Sequence, residues 1–217
     1  MSRMGRSILR RGLTAAAITL CVTTDVSAQN DVALRGFADL GTQSFAAENS
    51  FKAVLGSSRG VVFGGGVETL LPRGIFVSLH ASRFRRTGER VFTFNDQTFK
   101  LGIPVTVTIT PVELTGGYRF SSGSRLIPYA GGGMGWHRYD ESSAFADANE
   151  DVDDRFTGFH LLGGAELRLA RWVGTAVDAQ WTRVPNALGQ HANGVSSGFG
   201  ESNLGGVTYR IKVIIGP

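Results

Sequence analysis

Pro111-Val112-Glu113-Leu114-Thr115-Gly116-Gly117-Tyr118-Arg119-Phe120 is followed, after Ser121-Ser122-Gly123-Ser124-Arg125, by Leu126-Ile127-Pro128-Tyr129-Ala130-Gly131-Gly132-Gly133-Met134-Gly135-Trp136. Apolar residues alternate with polar or glycine residues through both runs, the period of a strand with two unlike faces. The five residues between them are small and polar, so the runs read as two antiparallel strands joined by a tight turn.

The same alternation recurs along the chain. It predicts eight strands, near 32–45, 60–71, 75–86, 105–120, 126–139, 155–169, 173–184 and 204–216. These are longer than the common strand of about five or six residues, and a tilted strand crossing a bilayer needs about 9–11. Their connections alternate in length. Leu71-Pro72-Arg73-Gly74, residues 121–125 and the stretch around Ala170-Arg171-Trp172 are short, whereas 46–59, 87–104, 140–154 and 185–203 are long. Short turns at one end and long polar loops at the other predict a transmembrane β-barrel with its short turns in the periplasm. Within the second long loop, 90–94 and 97–101 flank Asn95-Asp96, which extends the third and fourth strands past the membrane.

Each strand has two faces. Val32, Leu34, Gly36, Ala38 and Leu40 oppose Arg35, Phe37 and Asp39; Ile75, Val77, Leu79 and Ala81 oppose Phe76, Ser78, His80 and Ser82; Val207, Tyr209, Ile211, Val213 and Ile215 oppose Thr208, Arg210 and Lys212. The fourth strand changes parity near Thr110-Pro111, where a bulge is expected. A soluble barrel shows the same alternation with its apolar face inward. Three features favour the membrane. Compact charges with almost no Lys, three against nineteen Arg, line the polar face. Mid-strand apolar residues are small and aliphatic. Aromatics gather toward strand ends, with Phe63, Phe84, Trp136 and Trp181 near the long loops and Tyr118 and Phe120 near a short turn, as in interfacial girdles.

On that reading Arg35, Asp39, Glu68, Glu113, Arg119, Glu166, Arg168, Asp178, Arg210 and Lys212 face inward. Buried charges are costly unless paired, and these balance in sign. Gly64, Gly66, Gly131, Gly133 and Gly135 leave space for the Arg side chains, so an eight-stranded lumen fills and the barrel is plugged.

The N-terminus reads as an export signal occupying residues 1–28, leaving a barrel domain of 29–217. Arg3, Arg6, Arg10 and Arg11 precede an apolar stretch, Gly12–Val22, and Val26-Ser27-Ala28 is a small-residue cleavage site. Cleavage removes four Arg and Asp25, which lowers the net charge from +4 to +1, so no nucleic-acid partner is expected. Cys21, the single cysteine, leaves with the signal, and with it any disulfide or thiolate site. Gly makes up 30 of the 217 residues and charged residues 18%. That composition, with no later apolar run of about 20 residues, excludes coiled coils, charged disordered chains and helical membrane proteins.

The stretches 111–120 and 126–136 resemble the strand–turn–strand core of the small outer-membrane β-barrel family, the OmpA/OmpX-like eight-stranded barrels of diderm bacteria. The resemblance extends as a pattern over 29–217. It implies an all-β, antiparallel up-and-down barrel in the outer membrane, with outer-membrane lipid, lipopolysaccharide and the barrel-assembly machinery as partners. Family members include surface adhesins and envelope-stabilising proteins. The expected role is therefore a non-enzymatic anchor whose long loops serve surface contact, adhesion or envelope integrity, with an unknown surface ligand. A narrow porin-like channel for small solutes is the alternative.

Three sets of residues invite chemistry. His80 and Ser82 share a face, and with Glu113 they resemble the His-x-Ser and Glu of lipid A hydrolases, which need this set at the lipid face. His80-Ala81-Ser82 runs on into Arg-Phe-Arg-Arg, unlike that group, and the register turns His80 and Ser82 inward, so no enzyme is expected. The third long loop carries Glu141, Asp147, Glu150, Asp151, Asp153 and Asp154; the last four here are the candidates for a divalent cation, without EF-hand spacing, and a solvated acidic loop is the plainer reading. Arg83, Arg85, Arg86 and Arg90 lie where the third strand leaves the membrane and are candidates for lipopolysaccharide phosphates. No cofactor is expected. Gly64-Gly65-Gly66 and Gly131-Gly132-Gly133 lack the context of phosphate loops, and His80, His137, His160 and His191 lack zinc spacing.

Overall fold

The computed structural model describes residues 32–94, 97–120, 125–143, 152–189 and 195–217. Eight strands close into one antiparallel barrel in sequence order: β1 (Ala33–Phe45), β2 (Arg59–Leu70), β3 (Ile75–Phe94), β4 (Gln97–Arg119), β5 (Leu126–Ser143), β6 (Val152–Arg168), β7 (Val173–Arg183) and β8 (Gly206–Ile215). Closure comes from β1 against β8, paired from Gly36↔Ile215 to Phe45↔Gly206. The second long connection is largely strand, as expected, because β3 and β4 run on as a hairpin to Phe94↔Gln97. The expected export signal, residues 1–28 with Cys21, and the tip residues Asn95 and Asp96 lie outside the described residues.

Alternate side chains point to opposite faces. Outside, Leu34, Leu40, Val67, Leu79, Leu114, Leu161, Val177 and Ile211 are among many exposed apolar residues in a continuous band. A soluble monomer rarely shows apolar patches beyond a few hundred Å², so this band faces hydrocarbon. No helix among the described residues is long and apolar enough to cross a membrane; the strands carry the apolar surface.

The expected bulge at Thr110-Pro111 is absent. The β4–β5 register runs unbroken through Thr110↔Arg138 and Pro111↔His137; the β3–β4 ladder skips the pairs opposite Thr110-Pro111 but keeps its register from Ala81↔Val112 to Phe84↔Ile109, and its register shift falls between Glu89 and Val91 of β3. The parity change in the sequence has another cause. Val105, Val107, Ile109, Glu113, Thr115 and Arg119 are buried on one face. The strand keeps its face while the lumen it faces changes from polar to apolar.

That apolar section closes the barrel at its long-connection end. The first long connection contains a helix, α1 (Glu48–Leu55), which the alternation did not reveal. Its Phe51 and Leu55 are buried with Phe45, Val62, Phe84, Val107, Ile109, Val184, Ala187 and Leu204 in one cluster. The Phe45 and Phe51 rings stack at 4.0 Å, and Phe84 meets Phe45 edge-on at 4.9 Å. Phe84 is thus a lumen residue and not part of an outer girdle, because its even number places it with Phe76, Ser78 and His80. A Cβ at Gly88 would strike the Val54 carbonyl, so glycine there lets α1 lie against β3.

Helix α1 has no side-chain cap of its own. Glu201, from the connection before β8, supplies it: the backbone N–H groups of Asn49 and Ser50 donate to Glu201 Oε1 and Oε2 at 3.0 and 2.8 Å. A carboxylate at a helix N-terminus satisfies orphan donors and complements the helix dipole. At the other end Gly56 adopts φ +73° and its N–H donates to Lys52 O at 2.9 Å, the left-handed cap that glycine makes without strain.

Phe51→Ala is expected to weaken docking of α1 by about 3–5 kcal/mol, and Glu201→Ala by about 1 kcal/mol. Limited proteolysis of the connection between β1 and β2 checks both: cleavage rises strongly for the first and severalfold for the second, while the barrel's heat-dependent gel mobility is unchanged.

Candidate functional site

Below the apolar plug the lumen is ionic, in two linked layers. The layer nearest the short turns is built on Glu166 of β6. Arg35 Nη1 and Nη2 donate to its Oε1 and Oε2 at 2.9 and 2.7 Å, and Arg119 Nη2 donates to Oε2 at 2.7 Å. Arg35 Nε also donates to Glu68 Oε1 at 2.9 Å. Arg35 and Glu68 are direct cross-strand partners on β1 and β2, so one guanidinium ties β1 both to its neighbour and across the lumen to β6. Arg168 departs from its expected place. Its side chain is 52% exposed and its Nε lies 3.9 Å from Glu166 Oε1. It shares the inward parity of Glu166, but two residues further along β6 the barrel has ended.

The second layer is built on Asp178 and Glu113. Asp178 Oδ1 accepts from Arg210 Nε at 2.8 Å, and its Oδ2 accepts from Tyr129 OH at 2.9 Å and lies 2.6 Å from Lys212 Nζ. Lys212 Nζ also sits 4.9 Å from the centre of the Phe37 ring, a contact that stabilises a desolvated ammonium. Gln180 bridges the two acids: its amide donates to Glu113 Oε1 at 2.7 Å, and its carbonyl accepts from Arg210 Nη2 at 2.6 Å. Asp39 closes the layer through His80 Nε2 at 2.9 Å. All ten sequence-predicted charges therefore lie on inward positions, nine of them within the wall and Arg168 at its rim.

Tyr129, Gln180, Thr115 and His160 complete this network; Thr115 Oγ1 and His160 Nε2 lie 2.8 Å apart. Parity was the signal that could have found them, since Tyr129 shares a face with Gly131 and Gln180 with Asp178. The inward glycines make room, but for rings more than for arginines. A Cβ at Gly64 would sit 2.7 Å from His80 Nε2, at Gly66 2.8 Å from the Phe37 ring and at Gly131 3.1 Å from the Phe76 ring. At Gly135 it would sit 2.9 Å from Glu113 Cγ, and at Gly133 it would collide with the Leu114 carbonyl. Arginine side chains need such space at Gly41, where a Cβ would sit 2.8 Å from Arg210 Cγ, and at Gly216, where it would run into Arg35 Cβ.

The other candidates are placed as follows. His80 and Glu113 are buried in the lumen and Ser82 faces it too, so the three stand away from lipid. His80 Nδ1 lies 3.3 Å from Glu113 Oε2 and 3.4 Å from Arg210 Nη1. Both ring nitrogens thus have partners other than Ser82. Asp153 pairs with Arg138 through bonds of 2.8 and 2.7 Å. This pairing, outside the membrane-spanning part of β6, holds the Asp153 carboxyl below its usual range. Asp154 is exposed on β6, Glu141 accepts from Tyr139 OH at 3.0 Å, and Asp147, Glu150 and Asp151 lie outside the described residues, as does His191. No metal-binding group of three His, Cys, Asp or Glu forms among the described residues. Arg83 and Arg85 are exposed on the outer face of β3, whereas Arg86 turns back at the mouth and donates to the Arg59 carbonyl at 2.8 Å. Arg90 is half-buried.

No protein-family model matches the chain, and no curated protein matches it. Among solved structures it is similar to the N-terminal β-barrel domain of Pseudomonas aeruginosa OprF, at 10% identity and a TM-score of 0.51, covering 87% of this chain and 100% of that domain. It is also similar to Neisserial surface protein A, at 9% identity and a TM-score of 0.53, covering 85% of this chain and 96% of that one. The chain has the fold of the small outer-membrane β-barrels. At such low identity the likeness lies in the closed eight-stranded wall.

Glu166→Ala leaves Arg35 and Arg119 buried without their shared carboxylate. It is expected to cost about 3–5 kcal/mol of barrel stability, whereas Arg168→Ala at the rim changes it by less than about 0.5 kcal/mol. Guanidinium unfolding of the refolded barrel in detergent micelles, followed by tryptophan fluorescence, checks the contrast.

Proposed function

We propose that the chain is a non-enzymatic anchor of the outer membrane of a diderm bacterium. On this reading its short turns face the periplasm, and its long connections face outward for surface contact, adhesion or envelope integrity. The observation that carries the proposal is the filled lumen. Two ionic layers and an apolar plug follow one another along the axis. Among the described residues, a void between Gln43, Ser82, His137, Gln180 and Thr208 measures about 20 Å³, room for a water and not for a solute. A wall built this way holds a surface in place and opens no aqueous path.

The outer features agree with an anchor. The β3–β4 hairpin continues beyond the last β2–β3 pair, Val62↔Phe84, to Phe94↔Gln97. It therefore presents a stiff two-stranded projection at the long-connection end. Outer-membrane lipid, lipopolysaccharide and the assembly machinery are the partners this reading implies. The porin-like alternative would require both the plug and the ionic layers to move. The hydrolase alternative would require His80 and Ser82 at the lipid face.

In planar bilayers the refolded full chain is expected to show no steady single-channel openings above the bare membrane. Sustained conductance from a folded, inserted barrel would overturn the sealed-anchor reading. Protease shaving of intact cells checks the orientation, with cleavage expected in the long connections and none in the short turns.

A further inference from the structure

The outer face of β5, β6 and β7 carries two tiers near the long connections. The first is aromatic: Trp136, Phe159 and Trp181 are exposed, and the last two rings pack edge-on at 5.7 Å. The second is basic. Arg138 and Arg183 each stand two residues beyond the tryptophan on the same face of their strand. Arg155 stands on β6 directly opposite Arg138, and Arg183 opposite Phe159.

Like charges directly opposed on one face of a sheet are unfavourable. Asp153 answers Arg138. Arg155 and Arg183 are exposed and make no hydrogen bond or ion pair with any described residue. Two exposed guanidiniums without a hydrogen bond or ion pair among the described residues, Arg155 sharing only the more distant field of Asp153, stand just beyond an aromatic tier, where the phosphates of a membrane's headgroups lie, and guanidinium geometry matches a phosphate's oxygens.

The wall beneath them is hollowed. Ala130, Gly163 and Ala179 form one row across β5, β6 and β7. Gly163 and Ala179 of that row line a lipid-facing depression of about 750 Å³ that runs from β6 over β7 and β8, past Val177, Tyr209 and Ile211, to Leu40 of β1 and Val61 of β2. A Cβ at Gly163 would meet only the Tyr129 carbonyl oxygen, at 3.9 Å, so packing imposes no glycine there. On β7 the outer residues run Ala179, Trp181, Arg183, from the hollow past the aromatic tier to the unpaired charge.

We propose that this face binds a phosphorylated, multiply acylated lipid of the lipid A class. Arg155 and Arg183 take a phosphate, Trp181 lies along the lipid's shoulder, and an acyl chain fills the depression. The site rests on the outward orientation of the long connections under the anchor reading. It deepens the lipopolysaccharide partnership by moving it from Arg83 and Arg85 on β3 to the opposite wall.

The test uses the full chain, refolded in micelles and verified by heat-dependent gel mobility. Binding of bisphosphorylated lipid A, the same lipid with its phosphates removed, phosphatidylglycerol and inorganic phosphate is measured by native mass spectrometry and tryptophan fluorescence. Bisphosphorylated lipid A is expected to bind tightest, and removal of its phosphates to weaken it about tenfold or more. Arg155→Gln with Arg183→Gln is expected to do the same, Gly163→Leu to weaken binding severalfold, and Arg83→Gln with Arg85→Gln to change it less than about twofold. The proposal is overturned if the β6–β7 pair binds like wild type, if loss follows the β3 pair alone, or if phosphatidylglycerol or inorganic phosphate binds as tightly. The phosphate-free lipid tests the claim on the unaltered protein. Protease shaving and conductance separate its failure from that of the anchor reading.

Discussion

Glu166 is the point on which the barrel's interior turns. Its two oxygens receive Arg35 from β1 and Arg119 from β4, while Glu166 itself belongs to β6. A carboxylate this deeply buried is tolerated only with its charge answered and its lone pairs occupied. Once Arg35 and Arg119 answer it, three strands far apart around the cylinder are held at one separation. The hydrogen-bonded wall fixes neighbours only. Bonds across the lumen give the cross-section its size.

The same constraint explains how much of the fold was legible. A strand has two faces, and in a closed sheet one must meet lipid while the other meets the interior. Eight alternating segments with unequal connections therefore specify the wall, its sequence-order topology and nearly all its inward charges. Arg168 shows the limit. Alternation gives a residue's side of the sheet but not its height in the wall, and Arg168 is at the end, where inward becomes outward into water. Gln180 and Tyr129 show another. Counting charges finds ions, but buried ions also recruit neutral donors and acceptors, and those are found by face, not by charge.

The plug was illegible for a different reason. The alternation test assumes a polar interior, and that holds for only part of the axis. Val105, Val107 and Ile109 face inward like Glu113 and Arg119, yet they read as outward because they are apolar. The apparent slip at Thr110-Pro111 was the boundary between two interior environments. Helix α1 was hidden as well. It is eight residues long, has no capping residue of its own and depends on Glu201 from a connection about 150 residues away. Such a helix exists through tertiary contact, and no local pattern announces it.

On the anchor reading the barrel acts through its outer surfaces. These differ around the circumference. On β3, Arg83 and Arg85 lie on one strand with no tryptophan beneath them. On β6 and β7 the hollow at Gly163, the aromatic tier and the exposed guanidiniums stand in vertical order, matching the acyl, interfacial and phosphate depths of a lipid. A smooth wall would serve an anchor equally well. Glycine at 163 is imposed neither by its neighbours nor by a left-handed backbone, and it costs strand stability. A hollow kept at that cost, below guanidiniums that make no hydrogen bond or ion pair among the described residues, is best explained by something outside the protein that fills the one and binds the other.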